Sequence, residues 1–284
     1  MSDVRFGVVG ATGAVGEITL ALLAERGFEN VRAFASARSA GRPLSYGSGE
    51  LVVEEATPEA LGGDLDVCFF SVGTSASREL VPHAAAGGAV CVDKSSAYRL
   101  TEGIPLVVPE ANGERALDHE GIVANPNCST IQLVCLLKPL HEAAVLKSVR
   151  VSTYQSASGA GRASMDRLRA QQSADGNVVM DWDFEGDESD EESKLRAETR
   201  KILELPDLPL SATCARVPVL VGHSRLTRAE RRWPPRPRCE SWIARPPRMP
   251  SVATTFSSDA SAATRPARDS SSGACATTSG RARR

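Results

Sequence analysis

Residues 4–16 read Val-Arg-Phe-Gly-Val-Val-Gly-Ala-Thr-Gly-Ala-Val-Gly, and they constrain the fold more than any other stretch. An apolar run meets a glycine-rich turn, and an amphipathic pattern follows through Ile18, Leu20, Leu22 and Leu23. The glycines fall at Gly10, Gly13 and Gly16, a variant of the dinucleotide fingerprint in which small residues admit a pyrophosphate to a helix N-terminus. A strand before and a helix after supply the context this pattern needs. The bland alternative is a tight strand-to-helix turn that binds nothing.

The chain continues in the same style. Val31–Ala35, Asp66–Gly73 and Ala89–Asp93 are apolar runs, with a helical stretch over 78–87 and a small-residue turn at Thr74–Ser77. Strands alternating with helices imply an α/β fold with a doubly wound, Rossmann-type parallel sheet, whose ligands lie beyond the carboxyl ends of the strands. Ser71 and Gly73 fall at such an end. After Val31–Ala35, the position that often holds a ribose-binding acid reads Ser36-Ala37-Arg38-Ser39-Ala40 instead. An arginine among serines suits a 2′-phosphate, so the expected cofactor is NADP rather than NAD. An ordinary solvated basic loop is the alternative.

A second landmark is Ile122-Val-Ala-Asn-Pro-Asn-Cys128-Ser-Thr130. Pro126 ends the strand, and a helical pattern begins at Thr130. Cys128 therefore stands between a strand end and a helix mouth, where the dipole and backbone N–H groups favour a thiolate nucleophile. A buried structural cysteine is the alternative. Beyond it, Ser148–Gln155 alternates like a half-exposed strand of an antiparallel sheet, and Ser156–Gly161 forms a flexible loop. The acidic run 185–192 leads into a helix over 191–203, with Glu191 and Lys194 on one face as a surface ion pair. Ser211–Ser224 reads as one more strand. Within it Arg216 requires an anion partner, and His223 suits acid–base chemistry. Arg99 is a candidate anion ligand at a strand end.

The chain has 284 residues, 42% of them hydrophobic and 24% charged, which is the composition of a globular protein with room for two domains. No apolar run approaches membrane-spanning length, and no secretory signal is expected before the first strand. Seven scattered cysteines without metal spacing read as reduced thiols, and the expected location is cytoplasmic. No metal site is expected.

The net charge of −2 hides a division. Residues 225–284 hold 13 Arg, no Lys and 4 acidic residues, with one Leu, one Ile and one Val. This composition predicts a disordered, low-complexity tail. Its Trp and Cys residues suggest an out-of-frame translation, a hypothesis that reading the nucleotide sequence over codons 224–226 would test. A basic tail could bind nucleic acid, but it lacks interleaved aromatics, and neither a nucleic-acid nor a membrane partner is expected.

These motifs resemble the aspartate-β-semialdehyde dehydrogenase family. The likeness is carried by Gly10–Gly16, Phe34–Ser39, Asn125–Thr130, Tyr154–Gly161, Glu198–Leu203 and Arg216–Ser224. It implies a Rossmann-type domain over 1–130, an α+β substrate and dimerisation domain over 131–224, and a homodimer. The second domain is expected to be incomplete. A segment is missing near Gln171–Val178, and the family's later strands and C-terminal return have no counterpart after Ser224. Part of the dimer interface is therefore expected to be damaged.

The resemblance also implies roles. Cys128 is the nucleophile, His223 the general acid/base, and Gln155 orients the substrate. Arg216 takes the substrate α-carboxylate and Glu191 its amino group, while Arg99, Asn127 and Lys194 hold phosphate. Gly10, Thr12, Gly13, Ala14, Val15, Ser36, Arg38, Ser39, Ala40, Ser71, Gly73, Ser158 and Gly159 hold NADP. The implied reaction is NADPH-dependent reduction of aspartyl-4-phosphate to aspartate-4-semialdehyde on the route to lysine, methionine and threonine. The second reading is a non-catalytic fragment that keeps at most NADP binding.

Overall fold

The computed structural model describes residues 3–171 and 184–232. β1 (Phe6–Val9) runs into α1 (Ala14–Glu25) and then β2 (Val31–Ala35). A hairpin follows, β3 (Pro43–Tyr46) and β4 (Gly49–Glu55), then α2 (Pro58–Leu61), β5 (Val67–Phe70), α3 (Thr74–Ala86), β6 (Val90–Asp93), α4 (Pro109–Asn112) and β7 (Ile122–Ala124). Together they form a seven-stranded sheet of order β3-β4-β2-β1-β5-β6-β7, parallel except for β3. The chain leaves β1 toward β2 and later returns to pair β5 against the other edge of β1. That reversal opens a crevice at the carboxyl ends of β1 and β5, where this sheet class binds its ligands. β1, β2, β5 and β6 read as apolar runs because helices cover both faces, with Phe34, Leu61, Phe70 and Val81 packed into one core cluster.

The second part begins with α5 (Cys128–Ala143). β8 (Val145–Gln155), α6 (Arg162–Gln171), the short strands β9 (Phe184–Glu185) and β10 (Glu188–Ser189), α7 (Asp190–Leu203), β11 (Leu210–Arg216) and β12 (Ser224–Arg232) follow. β8 is the centre of a three-stranded sheet, parallel to β11 and antiparallel to β12. Leu133, Val134 and Leu137 of α5 share one core with Leu106 and Ala124 on one side and with Leu146, Val149, Leu195 and Ile202 on the other. The helix that starts at Cys128 therefore lies between the two sheets.

α7 is fixed at both ends. Ser189 and Glu192 form a reciprocal capping box, and Glu204 closes the helix in the left-handed region at φ 57°. Its inward stripe is Glu191, Leu195, Glu198 and Ile202, so two carboxylates are buried among leucine and isoleucine.

Several expectations change. Thr74–Ser77 is the first turn of α3 rather than a loop, because Ser77 N–H already bonds Gly73 C=O at 3.0 Å. The cysteine helix begins at Cys128, two residues before its apolar pattern. The expected strand 211–224 is two strands and a connection, interrupted after Arg216 where Pro218 offers no N–H. The sheet around β8 is mixed, not antiparallel. The β3–β4 hairpin went unread because its outer strand is polar and half exposed. The boundary at Ser224 also moves: residues 225–232 are part of β12, which pairs with β8 along its whole length. The remaining tail (233–284) and the expected deletion around 172–183 lie outside the described residues.

Candidate active site

The nucleotide crevice is built by close packing. Gly10 has φ +84°, and a Cβ there would lie 2.4 Å from the Ser71 carbonyl oxygen. A Cβ on Gly16 would lie 2.2 Å from the Gly10 carbonyl oxygen. Neither position accepts a side chain, so the turn, the start of α1 and the loop after β5 close on one another. Gly13 caps α1 without a side-chain hydrogen bond, which leaves its first N–H groups open beside Thr12, Ala14 and Val15. Ser71 Oγ is buried with no hydrogen-bond partner among the described residues. An anionic, hydrogen-bonding ligand fits this cradle. Ser36, Arg38 and Ala40 stand exposed around a 3₁₀ turn at the carboxyl end of β2, with Ser39 half buried. Gly73 opens α3 on the same side of the sheet.

The second cluster is centred on Cys128, the first residue of α5. Asn127 caps the helix, its side-chain oxygen accepting from Ser129 N–H at 2.8 Å. Cys128 Sγ lies 3.4 Å from His223 Nε2. The Ser156 amide donates to His223 Nδ1 at 3.0 Å. An amide N–H can only donate, so Nδ1 is unprotonated in this arrangement and the neutral ring carries its hydrogen on Nε2, facing the sulfur. Burial lowers the His223 pKa, and the charges of Arg216 and Arg225 add to this, while the Gly222 carbonyl and Glu191 oppose it.

The surroundings of Cys128 act on its thiol in both directions. Cys128 is an exposed residue, yet the protein around its sulfur raises the thiol pKa, with the charge of Glu191 adding to desolvation. Hydrogen bonds from Ser129 and the charge of Arg99 offset part of this.

Glu191 is 6% exposed, and its Oε1 accepts from Asn127 Nδ2 at 2.8 Å and from Gln155 Nε2 at 3.0 Å. Arg216 NH1 donates to the Ser156 carbonyl at 2.7 Å. Gly159 lies against the His223 ring and the Arg216 guanidinium: a Cβ there would be 3.2 Å from His223 Cε1 and 3.6 Å from Arg216 NH1. Ser158 joins through its hydroxyl, 2.9 Å from that of Ser156. Arg99 reaches in from the loop after β6 and donates to the Asn125 carbonyl, the Lys94 carbonyl and Glu198. Cys128, His223, Gln155, Glu191, Asn127, Arg99 and Arg216 thus meet in one place. Lys194 is different: it pairs with Asp190 on its own helix rather than with Glu191.

The family models for the semialdehyde dehydrogenase NAD-binding domain and for its dimerisation domain match residues 5–119 and 137–237. The aspartate-semialdehyde dehydrogenase of Corynebacterium glutamicum is 44% identical over 263 residues, covering 78% of this chain and 75% of the relative. The chain belongs to the aspartate-semialdehyde dehydrogenase family. The Bacillus subtilis member is 41% identical, with 76% of this chain and 70% of that one covered. Among solved structures, aspartate semialdehyde dehydrogenase II from Vibrio cholerae complexed with ASA superposes with a TM-score of 0.76 at 34% identity, covering 82% of this chain and 76% of that chain. The Candida albicans enzyme with NADP gives 0.66 at 28% identity, with 83% and 74% covered.

Three residues of this cluster escaped the sequence reading. Glu198 is 1% exposed and accepts from Asn127 N–H at 2.7 Å. Its spacing of seven from Glu191 was the signal, since that spacing returns to the same helix face. Ser156 sits in a stretch taken for a flexible loop, yet it is buried and sets the His223 tautomer. Arg225 was assigned to the tail, yet it is 5% exposed and donates to the Ser129 carbonyl at 3.0 Å. No helix among the described residues is long and apolar enough to cross a membrane, and no metal-binding cluster occurs among them.

Proposed function

We propose that this chain interconverts L-aspartyl-4-phosphate and L-aspartate-4-semialdehyde with NADP, through a thioester on Cys128. The observation that carries the reading is the approach of Cys128 Sγ to His223 Nε2 at 3.4 Å beside the buried Glu191, Gln155 and Arg216. In the reductive direction the sulfur attacks the acyl carbon, phosphate leaves with the C–O bonding pair and carries away the thiol proton, and the acyl group is left joined to the enzyme. Bound NADPH would supply the hydride that reduces the thioester. His223, with its hydrogen on Nε2, is set to donate to sulfur or to the oxyanion that develops beside it; this is the acid half of its acid/base role.

Arg216 takes the substrate α-carboxylate. Glu191, whose Oε1 is held by Asn127 and Gln155, meets the substrate amino group. Arg99 and Asn127 supply positive potential and a donor for phosphate, and Lys194 joins them only by leaving Asp190. Gly10, Thr12, Gly13, Ala14, Val15, Ser71 and Gly73 cradle the pyrophosphate, with Ser158 and Gly159 on the nicotinamide side. Ser36, Arg38, Ser39 and Ala40 select the 2′-phosphate. The domains divide near residue 130, with β12 extending the second to 232. The match to the dimerisation domain supports a homodimer. The reaction belongs to the synthesis of lysine, methionine and threonine in the cytoplasm.

Mass spectrometry of the chain incubated with aspartate semialdehyde and NADP without phosphate tests the thioester directly. An aspartyl adduct on the Cys128 peptide, discharged by added phosphate, is expected. An unmodified Cys128 with NADPH produced would refute the covalent step.

A further inference from the structure

Two peptide groups flank Pro126 in the turn that delivers the nucleophile. The Asn125 carbonyl accepts from Arg99 Nε at 3.0 Å, and the Asn127 amide donates to Glu198 Oε2 at 2.7 Å. Arg99 NH1 and Glu198 Oε1 close the circuit at 3.0 Å, with the pair 12% and 1% exposed. Arg99 comes from the nucleotide-binding part and Glu198 from α7 of the second part, so the clasp crosses between them. A third Arg99 bond, NH2 to the Lys94 carbonyl at 2.7 Å, holds the guanidinium in place independently of Glu198. Glu191, two turns earlier on α7, holds the Asn127 side chain while Glu198 holds its backbone.

We infer that Glu198 is a positioning residue for the nucleophile: it anchors Arg99 and the Asn127 amide together, and so fixes both the turn that presents Cys128 and the net positive charge felt at its sulfur. A buried ion pair is weak ground for stability as such, because desolvation offsets the attraction. A pair that also binds both peptides around Pro126 fixes geometry. Arg99 favours the thiolate, and Glu198, ion-paired with it at 3.0 Å, offsets that charge while keeping it in register. The cysteine mechanism proposed above is assumed, but the test below needs no turnover, so absence of activity and failure of this inference remain separate results.

The test is the rate of iodoacetamide labelling, read peptide by peptide by mass spectrometry, on the full chain and two variants. Glu198→Gln keeps an oxygen for Asn127 N–H but leaves Arg99 uncompensated, held by its two carbonyls. Arg99→Met with Glu198→Met removes both charges at similar volume, which buried pairs often tolerate. One charge gained or lost at this range changes the thiolate fraction about tenfold. Compensating nucleophilicity reduces that to about threefold in rate. Cys68, Cys91 and Cys214 are buried and report any general loosening. The expected result at pH 7.5 is about threefold faster labelling of Cys128 in Glu198→Gln, where one positive charge is left uncompensated, and labelling near the parent rate in the double variant, where the net charge is unchanged, with those three thiols protected in both. Any other pattern overturns the inference, whether the parent rate in Glu198→Gln, equally fast labelling in the double variant, or labelling of the buried thiols in step with Cys128.

Discussion

Arg225 is a buried guanidinium that replacement should improve. It points inward from β12, 5% exposed, and its hydrogen-bond partner is the Ser129 carbonyl. That carbonyl lies in the first turn of α5 and already belongs to the helix ladder. No carboxylate ion pair involves Arg225 among the described residues. Burial pulls its pKa from 12.5 to about 10, with Cys128 and Cys135 pulling weakly the other way. At about 1.4 kcal/mol per unit, that difference costs the fold about 3 kcal/mol near neutral pH. Arg225→Met keeps an unbranched stem of similar reach and removes the charge. Allowing about 1 kcal/mol for the lost hydrogen bond, the variant should gain about 2 kcal/mol. For a chain of this size that is a rise in melting temperature of about 4–8 °C. Circular dichroism melts of parent and variant, at equal concentration and pH 7.5, read the difference. A variant that melts below the parent would refute the reasoning, because it would mean that the guanidinium has a compensating anion.

Other perturbations separate chemistry from stability. Gly159→Ala places a methyl 3.2 Å from His223 Cε1. His223 must shift by a few tenths of an ångström, so kcat should fall about 3–10-fold while the melting temperature changes by less than about 3 °C. Unchanged kcat would mean that the 3.4 Å contact with Cys128 tolerates the shift. His223 has a lowered pKa in the fold, so between that value and about 6.5 the unfolded chain binds the extra proton. Its contribution is complete above pH 6.5 and is lost as pH falls through the folded pKa. The melting temperature of His223→Gln should therefore fall less than the parent's between pH 7.5 and 5.5, and parallel curves would contradict this.

The legible parts of the fold were those where one local rule fixed one local structure. Gly10 and Gly16 sit where no Cβ fits, and Pro126 had to end its strand. The helix ending at Leu203 was read to within a residue of its start because leucine and isoleucine recur on one face. What escaped depended on partners distant in sequence. Glu198 and Arg99 are 99 residues apart, and neither reveals the other from its own surroundings. Arg225 and Thr227 point inward along β12, so polar letters fill the positions that mark a strand's buried face. Composition therefore placed the tail eight residues too early. The charges of Glu191 and Arg99 at Cys128 were likewise invisible, because both residues are distant from it in sequence whereas the helix start is local.

The central claim is that Cys128, set against His223, carries the reaction. Phosphate-dependent reduction of NADP by aspartate semialdehyde, followed at the NADPH absorbance with parent and Cys128→Ala side by side, tests it most directly. Turnover by the parent that requires phosphate, none by the variant, and equal NADP affinity in both is the predicted result. Phosphate-dependent turnover that survives in Cys128→Ala, or a folded, NADP-binding parent that does not turn over, would contradict it.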